Sequence, residues 1–172
     1  MILPIIKYGS SLLRSKAFDI DRGDNFQELA ANISSTLKRE QGLGLAGPQV
    51  SVLKNIFVID TSAFQEENNV PAEMVIINPE IVHYDEEKEY YNEGCLSIPG
   101  IFEDVKRPGK IEVRYRNENF DMREEILDGI VARIFQHEYD HLQGILFIDH
   151  LSAIRRKLLK SRLNQISKNK YP

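Results

Sequence analysis

His137-Glu138-Tyr139-Asp140-His141 constrains this chain more than any other stretch. Four residues of α-helix rise roughly 6 Å, so an H-E-x-x-H run on a helix presents two imidazoles on one face, near enough to reach one cation at about 2 Å. The flanks predict that helix. Asp128 stands where an N-cap is needed, Ile130-Val131-Ala132-Arg133-Ile134-Phe135 supplies an apolar body, and Gly144 suits a left-handed residue just past the end. Ile130, Ile134, His137 and His141 follow one stripe of period 3.6. The ligands therefore extend a buried face, and the metal is expected inside the fold.

Two histidines are half of a hydrolytic site, and the third ligand decides its class. The pattern H-E-x-x-H-x-x-G-x-x-H finds its glycine in Gly144, but Phe147 stands where the last histidine must be. A downstream glutamate is excluded, because no glutamate follows Glu138. Asp149 and His150 lie only a few residues past the helix end, on the wrong side of a turn. The single cysteine, Cys95, is the stronger candidate, since a thiolate is a soft, anionic ligand for iron(II), zinc or nickel. Glu138 points about 100° round the helix from its neighbours, which suits a general base and acid better than a ligand.

Cys95 sits in Asn92-Glu93-Gly94-Cys95-Leu96-Ser97-Ile98-Pro99-Gly100, and a second glycine-rich stretch runs Gly42-Leu43-Gly44-Leu45-Ala46-Gly47-Pro48-Gln49. Both suit close approach of backbone to a ligand. The trio GLGLAGPQ, EGCLS and QHEYDH, in this order, resembles the three motifs of peptide deformylases, which remove the formyl group from the N-terminal methionine of new bacterial chains. The resemblance runs from Ile2-Leu3-Pro4-Ile5 to about Ser152. It departs at Gly47, where the commoner form has a second alanine, a difference of one methyl.

The resemblance implies an α+β fold, Cys95, His137 and His141 as ligands, and iron(II) in the cell, although the donors are equally compatible with zinc, nickel or cobalt. It implies that the Gln49 amide and the backbone N–H of Leu96 stabilise the developing oxyanion. It also implies that Leu43, Tyr91, Arg133, Ile134 and His137 border the methionine site, with Arg133 using its aliphatic stem while its charge points outward. An extended formylmethionyl peptide would pair by its backbone near Gly42 to Gly44 and near Tyr91, Glu93 and Gly94. Glu93 and Arg107 resemble a family ion pair that fixes the cysteine loop, and Asp140 is expected to orient a ligand imidazole or join that pair.

Two rival classes share part of this pattern. A metalloprotease cleaving internal peptide bonds would use the same glutamate but lacks its downstream ligand. A non-catalytic module with a structural metal would need four protein ligands.

Length and charge agree with one catalytic domain over residues 1–172. The chain has 172 residues, 42% of them hydrophobic, enough for one substantial core. A net charge of −4 argues against general nucleic-acid binding, and one cysteine fits a reducing compartment. No apolar run is long enough to span a bilayer and no leader pattern opens the chain, so a cytoplasmic monomer is expected.

Between the motifs the pattern predicts mixed elements. Asp24 and Gln27 form a capping pair for a helix carrying Phe26, Leu29, Ala30, Ile33 and Leu37. Residues 55–60 and 74–78 read as strands, and Ile111–Arg116 alternates before Asn117-Glu118-Asn119 turns into a partner strand at 120–127. Strands dominate, with one helix early, one central and one late. The expected fold is α+β, with antiparallel sheets packed around the metal helix, an N-terminal helix and a C-terminal helix. That last helix, about 153–170, puts Ile154, Leu158, Leu159, Leu163 and Ile166 on an apolar side and carries seven basic residues without an acid. Its basic face reads either as a solvated surface or as a contact for ribosomal RNA.

Overall fold

The computed structural model describes residues 1–169. A five-stranded antiparallel sheet in the order β1-β2-β3-β6-β7 is built from β1 (Gly44–Ala46), β2 (Ile56–Asp60), β3 (Glu73–Tyr84), β6 (Lys110–Arg116) and β7 (Met122–Asp128). A separate antiparallel ribbon pairs β4 (Lys88–Cys95) with β5 (Ile98–Pro108). The helices are α1 (Phe26–Glu40), a single turn α2 (Gln65–Asn68), the motif helix α3 (Gly129–Leu142) and α4 (Ala153–Ser167). The α+β arrangement is the expected one.

Strand β2 explains how α3 comes to be central. Its Ile56-Phe57-Val58-Ile59 run is apolar without alternation because both faces are covered: Phe57 and Ile59 pack toward α3, while Ile56 and Val58 pack toward α1. Phe57 meets Phe135 of α3 edge to face, with ring centroids 5.1 Å apart. On β6, by contrast, Ile111, Val113 and Tyr115 are buried while Glu112 and Arg114 are exposed, so alternation returns where one face meets water. The β6–β7 hairpin turns at Asn117–Asp121, where the Asn117 side chain accepts from the Asn119 and Asp121 amides.

The long strand β3 bends through register shifts between Ile77 and His83. Asn78 at the start of the bend has φ +48°, a conformation asparagine tolerates, and its amide makes two hydrogen bonds with the Ile20 backbone, 2.8 and 2.9 Å.

Two helix ends differ from expectation. The N-cap of α1 is Asn25, without a side-chain cap bond, because Asp24 is engaged by the Lys54 ammonium at 3.0 Å and by the Asp21 amide. Asp128 does occupy the N-cap of α3, but its side chain caps nothing. Gly144 has φ +74°, as its position required, and a side chain there would meet the Arg14 carbonyl.

Helix α4 packs through Leu159, Leu163 and Ile166, whereas Ile154 and Leu158 are exposed. The apolar side is therefore narrower than the five-residue stripe suggested, because the helix meets the ribbon along one edge only. Lys170, the last residue of the expected helix, lies outside the described residues. Among the described residues, no helix is long and apolar enough to cross a membrane.

Candidate active site

Helix α3 brings His137 and His141 to the closed end of the β4–β5 ribbon. Strand β4 ends at Cys95, the register shifts between Glu93 and Cys95, and Leu96 and Ser97 form the two-residue turn into β5. That hairpin delivers the thiol to the helix. The Cys95 sulfur and one ring nitrogen of each histidine lie within 4.8 Å of one another, and Sγ is 3.3 Å from His141 Nε2. Three residues 42 or more positions apart in part, and four apart on the helix, converge as the spacing required.

These three donors fit a divalent ion of borderline softness. Nδ1–H of His137 donates to Glu93 Oε1 at 2.8 Å, which fixes the ring and leaves the opposite nitrogen to face Cys95. Although burial disfavours a charged ring, hydrogen bonds with Cys95 and Glu93 raise the His137 pKa. Burial depresses that of His141, whose Nδ1 has no hydrogen-bond partner among the described residues. Asp149 and His150 are elsewhere. Asp149 accepts from Arg14 and from the Leu146 amide, and His150 lies against Asp140 at 2.7 Å. Phe147, at the position where another protease class has its third histidine, is a buried wall stacked on the His137 ring, 5.9 Å between centroids.

Glu138 is sealed from solvent, and its Oε2 has no partner among the described residues. Burial pushes its carboxyl up to about 7, with the His137 ring opposing the shift. Gly44 makes room for it: a Cβ at residue 44 would lie 2.7 and 2.8 Å from Glu138 Cγ and Cδ.

Gln49 is oriented from both ends. Its Oε1 accepts from the Ala46 amide at 2.8 Å, and its Nε2 donates to Ser97 Oγ at 3.2 Å and toward Cys95 Sγ at 3.5 Å. Gly47, two residues before it, is required by the local packing, since a methyl there would come within 2.7 Å of the Val52 carbonyl and 2.8 Å of the Lys54 carbonyl.

Behind His137 lies an ionic cluster. Glu93 accepts from Arg107 Nε at 2.8 Å, Arg107 Nη2 at 3.0 Å and Arg133 Nη1 at 2.9 Å, in addition to His137. Arg107 Nη1 reaches Asp140 at 2.7 Å, so Asp140 joins the ion pair, and the imidazole it meets is that of His150 rather than of a ligand. Despite the opposing effect of burial, these donors hold the Glu93 carboxyl far below its ordinary range. Arg133 corrects the expectation made for it. Its charge points inward, 4% exposed, where Glu93 and the carbonyls of Val105 and Glu89 supply the acceptors that a buried guanidinium needs.

A cleft of about 560 Å³ opens onto the trio, lined by Leu43, Gly44, Tyr91, Gly94, Arg133, Ile134 and His137 among others. It also takes in Lys7, Ile130 and Phe102, which sequence reasoning left unassigned. Ile130 had a signal, being one turn before Ile134 on the ligand stripe. Phe102 and Lys7 had none, since neither belongs to a motif.

A cysteine and two histidines on a buried H-E-x-x-H helix, opening to a cleft, define a metal-dependent hydrolase of α+β fold. The family model for polypeptide deformylase matches residues 2–157. Similar proteins include the peptide deformylases of Cytophaga hutchinsonii, 44% identical over 98% of this chain and 92% of theirs, and of Christiangramia forsetii, 42% identical over 99% and 92%. Among solved structures, the peptide deformylase of Ehrlichia chaffeensis superposes with a TM-score of 0.88 at 31% identity, covering 99% of this chain and 97% of that one. An inhibitor complex of the Plasmodium falciparum peptide deformylase gives 0.83 at 33% identity, covering 96% and 99%. The chain belongs to the polypeptide deformylase family. It is an enzyme that hydrolyses the N-formyl group from nascent peptides.

Proposed function

We propose that Cys95, His137 and His141 hold one divalent cation, iron(II) in the cell, and that Glu138 is the general base and then acid of deformylation. The carrying observation is Glu138 itself, a buried carboxyl with an oxygen that no donor among the described residues satisfies, lining the same cleft as Cys95 and His137. A buried polar group without a partner costs stability, and a water delivered to that spot provides the missing partner. A cation held there supplies a water acidic enough to give hydroxide near neutrality and draws charge from the formyl oxygen.

Glu138 accepts the attacking water's proton and passes it to the amine nitrogen as the formyl C–N bond breaks, so formate leaves and the α-amine is freed. The Gln49 amide, held by Ala46 and Ser97, and the Leu96 N–H donate to the formyl oxygen as it gains charge. Strand β1 is an edge of its sheet, and β4 borders the same cleft, which supports backbone pairing with an extended formylmethionyl peptide near Gly44 and near Tyr91 to Gly94. Leu43, Tyr91, Ile134 and the His137 ring supply the apolar lining for the methionine side chain. Glu93 and Arg133 act from behind, by holding the His137 ring and strand β4.

The reading extends to a cytoplasmic monomer of one catalytic domain, acting on chains as they leave the ribosome. The exposed Arg156, Lys157 and Lys160 of α4 support a contact with ribosomal RNA. The test is anaerobic purification, metal analysis and assay of one sample on formylmethionyl and unformylated peptides. Iron near one equivalent and cleavage of the formyl substrate alone are expected. Zinc in the active fraction would refute the metal assignment, and cleavage of internal bonds would refute the activity.

A further inference from the structure

Two lysine or arginine side chains line the cleft, and only one of them is neutralised. Arg133 is paired with Glu93 at 2.9 Å, whereas Lys7 has no carboxylate within ion-pairing distance among the described residues. The half-buried Lys7 ammonium instead donates to the Leu96 carbonyl at 2.8 Å. Its neighbours make parallel contacts. The Ile6 amide donates to the Gln49 carbonyl at 2.9 Å, and the Tyr8 amide to the Ser97 carbonyl at 2.8 Å. Three consecutive residues therefore bridge the Gln49 segment and the Cys95 hairpin, which are otherwise distant in the chain.

The outer two contacts are made by backbone and are indifferent to residue type. The middle one depends on a side chain. It also falls on a particular carbonyl: Leu96 and Ser97 are the central residues of the turn, and the peptide between them is the one whose flip separates the common β-turn types. Rotation of that peptide changes ψ of Leu96 and φ of Ser97 and swings the Leu96 carbonyl and the Ser97 N–H; the Leu96 N–H lies in the preceding peptide, joined to that carbonyl through the Leu96 Cα.

We propose that Lys7 is a positioning residue for deformylation, anchoring Leu96 by its carbonyl so that the N–H of the same residue stays directed at the formyl oxygen. This rests on the reading of Leu96 as an oxyanion donor. Charge on that oxygen develops in the transition state, so a misdirected donor lowers kcat more than it alters KM. A displacement of about 1 Å at a reacting group costs about a hundredfold, and partial release of one donor is expected to cost on the order of tenfold.

The test compares Lys7→Met, which keeps the aliphatic stem, with Lys7→Arg, which keeps a cationic donor, each as zinc-loaded protein. Kinetics on a formylmethionyl peptide are measured beside the backbone amide resonances of Leu96 and Ser97. Support is a fall in kcat of about tenfold for Lys7→Met with KM within twofold, displaced Leu96 and Ser97 amides, and recovery of both by Lys7→Arg. Unmoved amides overturn the role of Lys7 and leave the oxyanion reading standing. Displaced amides with unchanged kcat overturn the oxyanion reading, and the proposal with it. A rise in KM at constant kcat overturns the proposal in favour of direct substrate contact. Melting temperature and bound zinc for Lys7→Met verify that the fold and the ligands survive, and a variant that loses zinc is replaced by Lys7→Gln under the same criteria.

Discussion

Replacing Glu93 by glutamine keeps its shape and removes its charge, which isolates what the ionic cluster contributes. The carboxylate accepts four hydrogen bonds at 2.8 to 3.0 Å, two at each oxygen. Glutamine retains one accepting oxygen, so whichever way its amide turns, two donors lose their acceptor and face an NH2 group. Hydrogen bonds to charged groups contribute about 1.5–3 kcal/mol each, and breaking a buried ion pair costs about 3–5 kcal/mol. The losses are limited because Arg107 keeps Asp140 at 2.7 Å and Arg133 keeps two carbonyls at 2.8 and 2.9 Å. A destabilisation of about 3 kcal/mol is therefore expected for Glu93→Gln, read from urea unfolding of the metal-stripped proteins. Loss of the partner that orients His137 lowers zinc affinity by about 10–100-fold in a competition titration. Glu103→Gln is the control. Its partner Arg155 is largely exposed, and a smaller change in stability with unaltered zinc affinity is expected there. If Glu93→Gln unfolds like the wild type and binds zinc equally well, the cluster does not hold the ligand.

Glu138→Gln should retain the metal while turnover falls by about 10²–10⁴, the contribution of general acid–base catalysis; metal analysis and kcat on a formyl peptide test this together. For Gly44→Ala, whose added methyl would collide with the Glu138 side chain, kcat is expected to fall about tenfold or more at unchanged metal content. Asp149 titrates below the ordinary carboxylate range, because hydrogen bonds from Arg14 and the Leu146 amide outweigh its partial burial. A depressed folded value means that its stabilisation is fully present above about pH 4 and is lost as pH falls through the folded value. Wild type and Asp149→Asn should therefore differ in urea midpoint at pH 6 and converge toward pH 2; a constant gap across that range would contradict the assignment.

What could be read from residues alone was whatever a short period or a fixed spacing controls. The stripe through Ile130, Ile134, His137 and His141 places both imidazoles on one buried face because helical geometry leaves no alternative. The β6–β7 hairpin was legible from alternation and its asparagine turn. Charges were not. Arg133 turns inward onto Glu93, forty positions away, and no local pattern carries that information. On β5, the apolar Phe102 is exposed and Glu103 buried, the reverse of the expected preference, because Arg155 from α4 meets the carboxylate. Gly47 differs from the commoner alanine by one methyl, and two carbonyls occupy the space that methyl would need. Such features depend on tertiary neighbours, which single-chain periodicity does not encode.

The environments on the two sides of the trio differ in a way that bears on catalysis. Behind His137 every partner is ionic, with Glu93, Arg107, Arg133 and Asp140 linked in one network. Around Gln49 every partner is neutral or a thiol: the Ala46 amide, the Ser97 hydroxyl and the Cys95 sulfur. The ionic side resists displacement because moving any member leaves a buried charge unpaired, which suits the orientation of a ligand. A neutral amide, already held in place, interacts weakly with a ground-state carbonyl and strengthens as that oxygen becomes anionic. Ion pairs behind the ligand and a held neutral amide at Gln49 thus separate holding the site together from favouring the transition state.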